Sequence, residues 1–212
     1  MAGYQYLLLD WDGNLAQTLG LWLDVFRLVL ADRGLTPTDE AIAQSFGKTE
    51  QFFAQLGVSD PATLYETADR IGKAALPEVE LYPEALEVLN EFKARGKQTA
   101  LITSSNRDNI EPLLEKYDLH ALFDVVVARE DTAEQKPHPE PLEKALALLG
   151  GTKEQAVMIG DSDKDLGAAN NAGIDSILFY PKEHAKFYDL KTLQSYKPTH
   201  VVGNFKEILD IV

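Results

Sequence analysis

Cysteine is absent from this chain of 212 residues. Its absence excludes disulfide bonds, thiolate nucleophiles and metal sites built on cysteine. Histidine is also scarce, and none of the four histidines stands beside a second ligand at the spacing of a metal site. The composition is compatible with a reducing compartment, and we expect the protein to be cytoplasmic.

Positive charge is in short supply as well. The 20 basic residues face 34 acidic ones, which gives a formal net charge of −14. Nucleic acids and anionic membranes are therefore poor partners, since both bind basic surfaces. An anionic small molecule would also be repelled, unless a local cation or a helix N-terminus reversed the field at its binding site.

Long apolar runs are missing too. The apolar stretch at 6–9 is too short for the hydrophobic region of a signal peptide. No run approaches the roughly 18 apolar residues of a transmembrane helix. We therefore expect no membrane partner for this chain.

What remains is an alternation of strands and helices. Short apolar strands are predicted at 4–9, 98–102, 125–128, 156–159, 174–179 and 200–202. Helices are predicted between them, with a last helix at 205–211. This alternation is typical of an α/β protein with a doubly wound parallel sheet. An all-helical block interrupts it, so we expect a small helical domain (16–80) inserted into an α/β core made of residues 1–15 and 81–212.

Two carboxylates directly follow the first strand. Residues two apart in an extended segment point the same way, so Asp10 and Asp12 are expected to project together from the carboxyl end of that strand. Open α/β sheets bind ligands at this edge. Adjacent carboxylates repel each other unless a cation or a shared proton accompanies them. Taken alone, the Asp-x-Asp-Gly sequence is equally compatible with a solvated turn.

Three further groups of polar residues follow predicted strands. Thr103, Ser104 and Ser105 offer hydroxyl and backbone N–H groups before a helix, which favours an anion site, although Ser105 or Asn106 taken alone fits a helix N-cap. Lys136 stands in a polar loop, where it can reach a phosphate or remain a surface lysine. Asp161 and Asp165 supply hard oxygen ligands of the kind Mg²⁺ prefers, although a helix N-cap and a first-turn acid would have the same sequence.

These residues occur together in one order along the chain. Asp10-Trp11-Asp12-Gly13, Thr103, Lys136 and Gly160-Asp161-Ser162-x-x-Asp165 each follow the expected strand or loop. In this the chain resembles the haloacid dehalogenase superfamily, in its phosphoglycolate-phosphatase/β-phosphoglucomutase-like branch. The helical block at 16–80 corresponds to the cap of that branch. The resemblance implies a Mg²⁺-dependent phosphatase that hydrolyses a small phosphorylated metabolite through an aspartyl-phosphate.

The resemblance also implies a role for each matching residue. Asp10 is the nucleophile, and Asp12 is the general acid and base. Thr103, Ser104 and Lys136 hold the phosphoryl oxygens. Relatives that cleave carbon–halogen bonds or phosphonates lack an aspartate at the position of Asp12, so its presence indicates phosphate ester or anhydride chemistry.

The same resemblance implies a metal site for Mg²⁺. Its ligands are Asp10, the backbone carbonyl of Asp12, and Asp161, with Asp165 nearby or bound through water. One departure concerns Asn14, where the family usually has threonine. This departure leaves open a weakly active enzyme or a non-catalytic binding protein. The same acids, hydroxyls and lysine are also compatible with a sugar-phosphate mutase and with a phospho-accepting signalling domain.

The helical block contains one candidate for substrate contact. In the loop with Gly47 and Lys48, the glycine frees the backbone and the lysine can meet an anionic leaving group, although a helix–helix turn fits the loop equally well. We expect Trp22 to belong to the core of the helical domain. The segment 181–198 is either a surface excursion or part of a dimer contact, and we expect a monomer or a homodimer.

Overall fold

The computed structural model describes residues 3–46 and 48–212. Within them a single sheet has the order β3-β2-β1-β4-β5-β6, and every pair of neighbouring strands is parallel. The strands are β1 (Tyr6–Leu9), β2 (Gln98–Ile102), β3 (Val125–Val127), β4 (Ala156–Gly160), β5 (Asp175–Phe179) and β6 (His200–Val202). This confirms the predicted doubly wound parallel sheet. The chain reverses its direction of travel across the sheet between β1 and β4, which is where such sheets bind ligands.

Nine α-helices lie in the described part of the chain. They are α1 (Leu19–Ala31), α2 (Asp39–Gln44), α3 (Thr49–Gln55), α4 (Pro61–Ala75), α5 (Ala85–Ala94), α6 (Arg107–Lys116), α7 (Glu140–Leu149), α8 (Asp163–Ala172) and α9 (Leu190–Gln194). Short 3₁₀ turns connect several of them. No helix among the described residues is both long and apolar enough to cross a bilayer.

The last predicted helix, at 205–211, is observed as a 3₁₀ helix at Lys206–Asp210. Phe205 and Ile208 are both completely buried. They stand three residues apart, and a threefold repeat places both on the same side of the turn, facing the core.

The central strand is apolar throughout because both faces of the sheet are covered. Leu8 packs on one face with Ala100 and Met158. Leu7 and Leu9 pack on the opposite face, in the larger apolar cluster. All three leucines are completely buried, and this anchors the strand that ends immediately before Asp10.

Helices α1–α4 share an apolar cluster of their own, which includes Phe26, Phe53 and Leu64. The segments that lead into and out of these helices are paired. Ala16 forms an antiparallel bridge with Leu81, and the backbone N–H of Gln17 donates to the carbonyl oxygen of Glu80 at 2.9 Å. The helical segment therefore leaves and rejoins the sheet at one place, immediately after β1.

Candidate active site

The loop after β1 is built around a glycine that cannot be replaced without cost. Gly13 has a φ of +77°, which favours glycine. A Cβ atom at this position would also collide with the carboxylate of Asp161. Because the loop passes this close to the end of β4, the carboxylates that follow β1 and β4 are brought together.

Asn14 joins the two central strands. It is completely buried, and its Nδ2 donates to the carbonyl oxygens of Asp10 at 3.1 Å and Ile159 at 3.2 Å. Its Oδ1 has no hydrogen-bond partner among the described residues. The side-chain amide of Asn14 thus links the ends of β1 and β4, the two strands between which the strand order reverses.

Lys136 lies between two carboxylates. Its Nζ donates to Asp10 Oδ1 at 2.5 Å, to Asp165 Oδ1 at 2.6 Å and to the carbonyl oxygen of Ile102 at 2.9 Å. All three charged side chains are buried. The interpretation of Lys136 as a surface lysine is therefore wrong.

The ionisation of this buried group reflects its surroundings. Burial raises the pKa of Asp10, the charge of Asp165 adds to the rise, and Lys136 opposes it. Burial alone would lower the pKa of Lys136, but the carboxylates of Asp10 and Asp165 outweigh it and hold the pKa above its ordinary value. A single ammonium group thus compensates two carboxylates.

Three buried carboxylates form a group that fits a divalent cation. Asp10, Asp161 and Asp165 each offer an oxygen, and these oxygens lie within 4.8 Å of one another. Asp161 Oδ2 is buried and has no hydrogen-bond partner among the described residues. Burial, together with the charges of Asp165 and Asp10, raises the pKa of Asp161 well above its ordinary value. Hard oxygen ligands, mutual repulsion and an unpartnered oxygen are what a Mg²⁺ site requires.

The helix that follows β4 shows what two of these acids do. Ser162, and not Asp161, is the N-cap of α8. Asp165 Oδ2 accepts hydrogen bonds from the Ser162 backbone N–H at 3.1 Å and from its Oγ at 2.6 Å. Asp165 is therefore a first-turn acid in a capping box and also a member of the carboxylate group.

Asp12 is held apart from the other acids. Its Oδ2 accepts from Ser105 Oγ at 2.6 Å, and its Oδ1 accepts from Trp22 Nε1 at 3.3 Å. The side chain of Asp12 lies outside the group of three carboxylates. Its predicted part in metal binding, through the backbone carbonyl, stays a prediction.

The loop after β2 is only partly predictable from sequence. Thr103 is buried, and its Oγ1 accepts from the Ser105 backbone N–H at 3.0 Å. Ser104 lines the cavity over Asp10. Ser105 belongs to the predicted anion site, but its contact with Asp12 was not predicted, and Asn106 rather than Ser105 is the N-cap of α6. The sequence pattern also missed Trp22, since nothing local to its helix indicates a contact with Asp12.

A cavity of about 350 Å³ separates the sheet edge from the helical segment. Asp10, Asp12 and Lys136 line it on the sheet side. The helical segment contributes Trp22, Phe26, Phe46, Lys48, Thr49, Glu50, Gln51 and Tyr65. Lys48 is exposed and lines the cavity, and its predicted contact with substrate stays a prediction. Gly47 lies outside the described residues.

Two further contacts link the cavity walls. Lys164 Nζ, from α8, donates to the carbonyl oxygen of Phe46 in the helical segment. Tyr188 comes from the segment 181–198, and it lines the same cavity. Burial raises the pKa of Tyr188 well above its ordinary value, and the neighbouring carboxylates, led by Asp161, add to the rise. The segment 181–198 thus contributes directly to the candidate site.

Several known proteins are similar to this chain in sequence and in fold. The family model of haloacid dehalogenase-like hydrolases matches residues 7–179. Pyrophosphatase PpaX of Bacillus cereus (strain AH820) is 35% identical over 134 residues, which are 63% of this chain and only 60% of the relative. A proposed phosphoglycolate phosphatase from Lactobacillus plantarum superimposes with a TM-score of 0.85 at 25% identity, covering 99% of this chain and 100% of the other. CbbY from Rhodobacter sphaeroides, solved with phosphate, has the same fold, with a TM-score of 0.79 at 24% identity over 97% and 96% of the two chains. The chain belongs to the haloacid dehalogenase-like hydrolase family.

Proposed function

We propose that the protein is a Mg²⁺-dependent phosphatase that hydrolyses a small phosphorylated metabolite through a phosphorylated Asp10. One observation carries the proposal: a buried carboxylate at the reversal point of the sheet, bound to Lys136 through Oδ1 and lining an open cavity. Asp10 Oδ2 has no hydrogen-bond partner among the described residues and is the atom we assign to attack.

The first chemical step transfers the phosphoryl group. Asp10 Oδ2 forms a bond to phosphorus, and the bond from phosphorus to the leaving oxygen breaks. The leaving oxygen takes a proton from Asp12. Ser105 and Trp22 keep the Asp12 side chain turned toward the cavity, away from the buried carboxylates. Asp10 and Asp12 can thus have different roles because the surroundings of their side chains differ.

The second step returns the enzyme to its starting state. Asp12, now a carboxylate, takes a proton from water while the water oxygen attacks phosphorus. The bond between phosphorus and Asp10 breaks, and inorganic phosphate leaves. Lys136, Thr103 and Ser104 are the residues we assign to the phosphoryl oxygens, whose charge Lys136 neutralises.

The metal would be held by Asp10, Asp161 and Asp165, with the Asp12 carbonyl as a further ligand. When bound, it supplies positive charge next to the phosphoryl group. We also propose that residues 16–80 form a cap over an α/β core made of 1–15 and 81–212. The cap would exclude water and contact the leaving group, while the core performs the reaction. The expected cytoplasmic location stays a prediction.

The test is a phosphate-release screen over a panel of phosphorylated metabolites, with and without Mg²⁺. The wild-type protein should release inorganic phosphate from at least one compound, EDTA should stop release, and added Mg²⁺ should restore it. Asp10→Asn should lower kcat by at least about 10³-fold. Asp210→Asn, at an exposed acid far from the site, is the matched control and should be unchanged.

Two outcomes would contradict the proposal. Undiminished phosphate release by Asp10→Asn, with its fold intact by circular dichroism, removes Asp10 from the nucleophile role. An isomeric sugar phosphate formed without free phosphate indicates a mutase instead.

A further inference from the structure

Arg129 lines the same cavity as Asp10, although no sequence motif includes it. It begins the 3₁₀ turn Arg129–Asp131, directly beyond β3. Its backbone N–H donates to the carbonyl oxygen of Ser105 at 3.1 Å. Its own carbonyl accepts from Gln135 Nε2 at 2.9 Å. The backbone of Arg129 is therefore fixed to the loop that faces the phosphoryl position.

The guanidinium group of Arg129 has no acidic partner in the part of the chain that the structure describes. No carboxylate of the described residues lies within ion-pair distance of it, even though the chain has 34 acidic residues. Four other arginines do have such partners: Arg27, Arg33, Arg95 and Arg107. Arg70 has none among the described residues either, but it does not line the cavity. Among the described residues the guanidinium donates to the carbonyl oxygen of Ser104, 3.5 Å from Nη1. An unpaired arginine at the wall of a cavity is ready to bind an anion.

A second cation reaches this cavity from the helical segment. Lys48 is exposed, lines the cavity and forms no ion pair among the described residues. Tyr65 also belongs to that wall, and the charge of Arg129 is close enough to oppose the rise that burial causes in the Tyr65 pKa. Lys136, by contrast, is already shared between two carboxylates at the inner end of the cavity.

The inner and outer ends of the cavity thus differ in charge. The inner end holds the carboxylates and Lys136, which suit a metal and one phosphoryl group. At the outer end, Arg129 and Lys48 line the cavity without an ion pair among the described residues, and Glu50 is the acid that the helical segment adds to the lining. A cavity of about 350 Å³ has room for more than the transferred group.

We infer that Arg129, assisted by Lys48, is a specificity-determining residue that binds a second anionic group on the leaving side of the substrate. Preferred substrates would then carry a phosphate or carboxylate in addition to the phosphoryl group that is transferred. The planar fork of arginine suits both groups, because it donates two parallel hydrogen bonds. This inference rests on the proposed function.

Substrate-dependent kinetics test the inference. We would measure kcat/KM of wild type, Arg129→Ala, Arg129→Lys and Lys48→Ala on inorganic pyrophosphate, phosphoglycolate, a sugar bisphosphate and p-nitrophenyl phosphate. Arg129→Ala should lower kcat/KM at least about tenfold on the best doubly anionic substrate and less than about twofold on the aryl phosphate. Arg129→Lys should recover part of the loss, and Lys48→Ala should show the same selectivity with a smaller effect.

Arg70 provides the matched control. It is an exposed arginine of α4 that does not line the cavity. Arg70→Ala should leave all four substrates unchanged. An equal loss on all substrates in Arg129→Ala, or no loss on any, would overturn the inference while leaving the phosphatase proposal standing.

A binding measurement tests the role of Arg129 without depending on catalysis, and so separates this inference from the proposed function. Isothermal titration with inorganic pyrophosphate would use Asp10→Asn protein, which keeps the outer cavity intact. Compared with Asp10→Asn alone, the double variant Asp10→Asn/Arg129→Ala should bind pyrophosphate at least about fivefold more weakly. Its affinity for inorganic phosphate should be unchanged. If wild type releases no phosphate from any compound, the proposed function fails, and this titration still decides whether Arg129 binds the second anion. Equal pyrophosphate affinity in the presence and absence of Arg129 would overturn the inference.

Discussion

The two walls of the cavity are built in opposite ways. On the sheet side, Asp10, Lys136 and Asp165 are buried and bound to one another at 2.5–2.6 Å. On the helical side, Lys48 is exposed and makes no ion pair among the described residues. The sheet side is a fixed arrangement in which each group depends on its neighbours. The helical side offers side chains that can adapt to different leaving groups, and substituting these side chains can change which leaving group is preferred.

This difference separates reaction from recognition. Strand ends of a parallel sheet are rigid, and rigid placement is what transfer of a phosphoryl group demands. Helical side chains at a cavity mouth contact only the part of a substrate that varies. We therefore expect substitutions on the sheet side to affect every substrate, and substitutions at the outer end to be selective.

The largest effect that tests this contrast is expected at Lys136. Lys136→Met keeps the length of the side chain and removes its charge. It leaves Asp10 and Asp165 buried without their shared cation, so kcat/KM should fall about 10³-fold on all substrates alike. The readout is kcat/KM on p-nitrophenyl phosphate and on the best metabolite.

Lys48→Met is the matched control for Lys136→Met. It should spare the aryl phosphate, because that compound has no second anionic group. If Lys136→Met lowered kcat/KM on one substrate and not on the other, the contrast between the two walls would be wrong.

The second effect is a dependence of stability on pH, and we expect it from a histidine beside the sheet-side wall. His184 is completely buried. Its Nε2 lies 2.7 Å from the hydroxyl of Tyr82, and the rings of Phe179, Tyr180 and Tyr188 surround it. Burial lowers the pKa of His184 from 6.5 to about 4. The folded protein therefore keeps this imidazole neutral under conditions in which the unfolded chain protonates it.

The sign of the pH effect follows from that difference. Between pH 6.5 and about 4 the unfolded chain binds the extra proton, so stability is lost as the pH falls through this window. The loss should reach about 3 kcal/mol at its lower end. Urea unfolding from pH 7 to pH 4 measures it. His184→Gln should flatten this dependence, and His138→Gln, at an exposed histidine, should not; an unchanged slope in His184→Gln would exclude His184 as its source.

The smallest effect is the loss of stability expected where the loop after β1 passes close to the end of β4. Gly13 lies at this close approach, and Gly96 serves as the control. Gly13 and Gly96 have similar φ values, +77° and +71°. A Cβ at Gly96 meets no atom within 4 Å, whereas one at Gly13 collides with Asp161. Gly96→Ala should cost about 1 kcal/mol of unfolding free energy through backbone strain alone. Gly13→Ala should cost about 1–2 kcal/mol more, and equal costs by urea denaturation would show that the loops yield without penalty.

Much of the sheet-side wall could be predicted because its signals are local. An apolar run followed by Asp10 and Asp12 identifies a strand and its end, and the same holds for the strand before Asp161. The rules for parallel sheets then bring these ends together. The type of the turn at Lys206–Asp210 was not predictable in this way, because a single short apolar segment fits either helix.

The helical side could be predicted only as helices. Trp22 has the spacing of a core residue in α1, and its contact with Asp12 depends on how α1 lies over the sheet. Tyr188 follows β5 in a segment without regular spacing, so its place in the cavity had no sequence signal. Arg129 belongs to no motif. It becomes informative only once the structure shows that it lines the cavity and forms no ion pair among the described residues.

The sequence by itself determined the sheet, the acids at its edge and the insertion point of the helical segment, since each depends on residues close together in the chain. Only the tertiary structure decided which groups meet across the cavity: the link that Asn14 forms between β1 and β4, the partners of Asp12, and the charge of Arg129, which is unpaired among the described residues. These depend on contacts between residues far apart in sequence, where a hydrogen bond changes if a helix moves by an ångström or two. The positions of the strands along the chain are set by strong local patterns, but which side chains face each other across a cleft is set by the packing of whole elements.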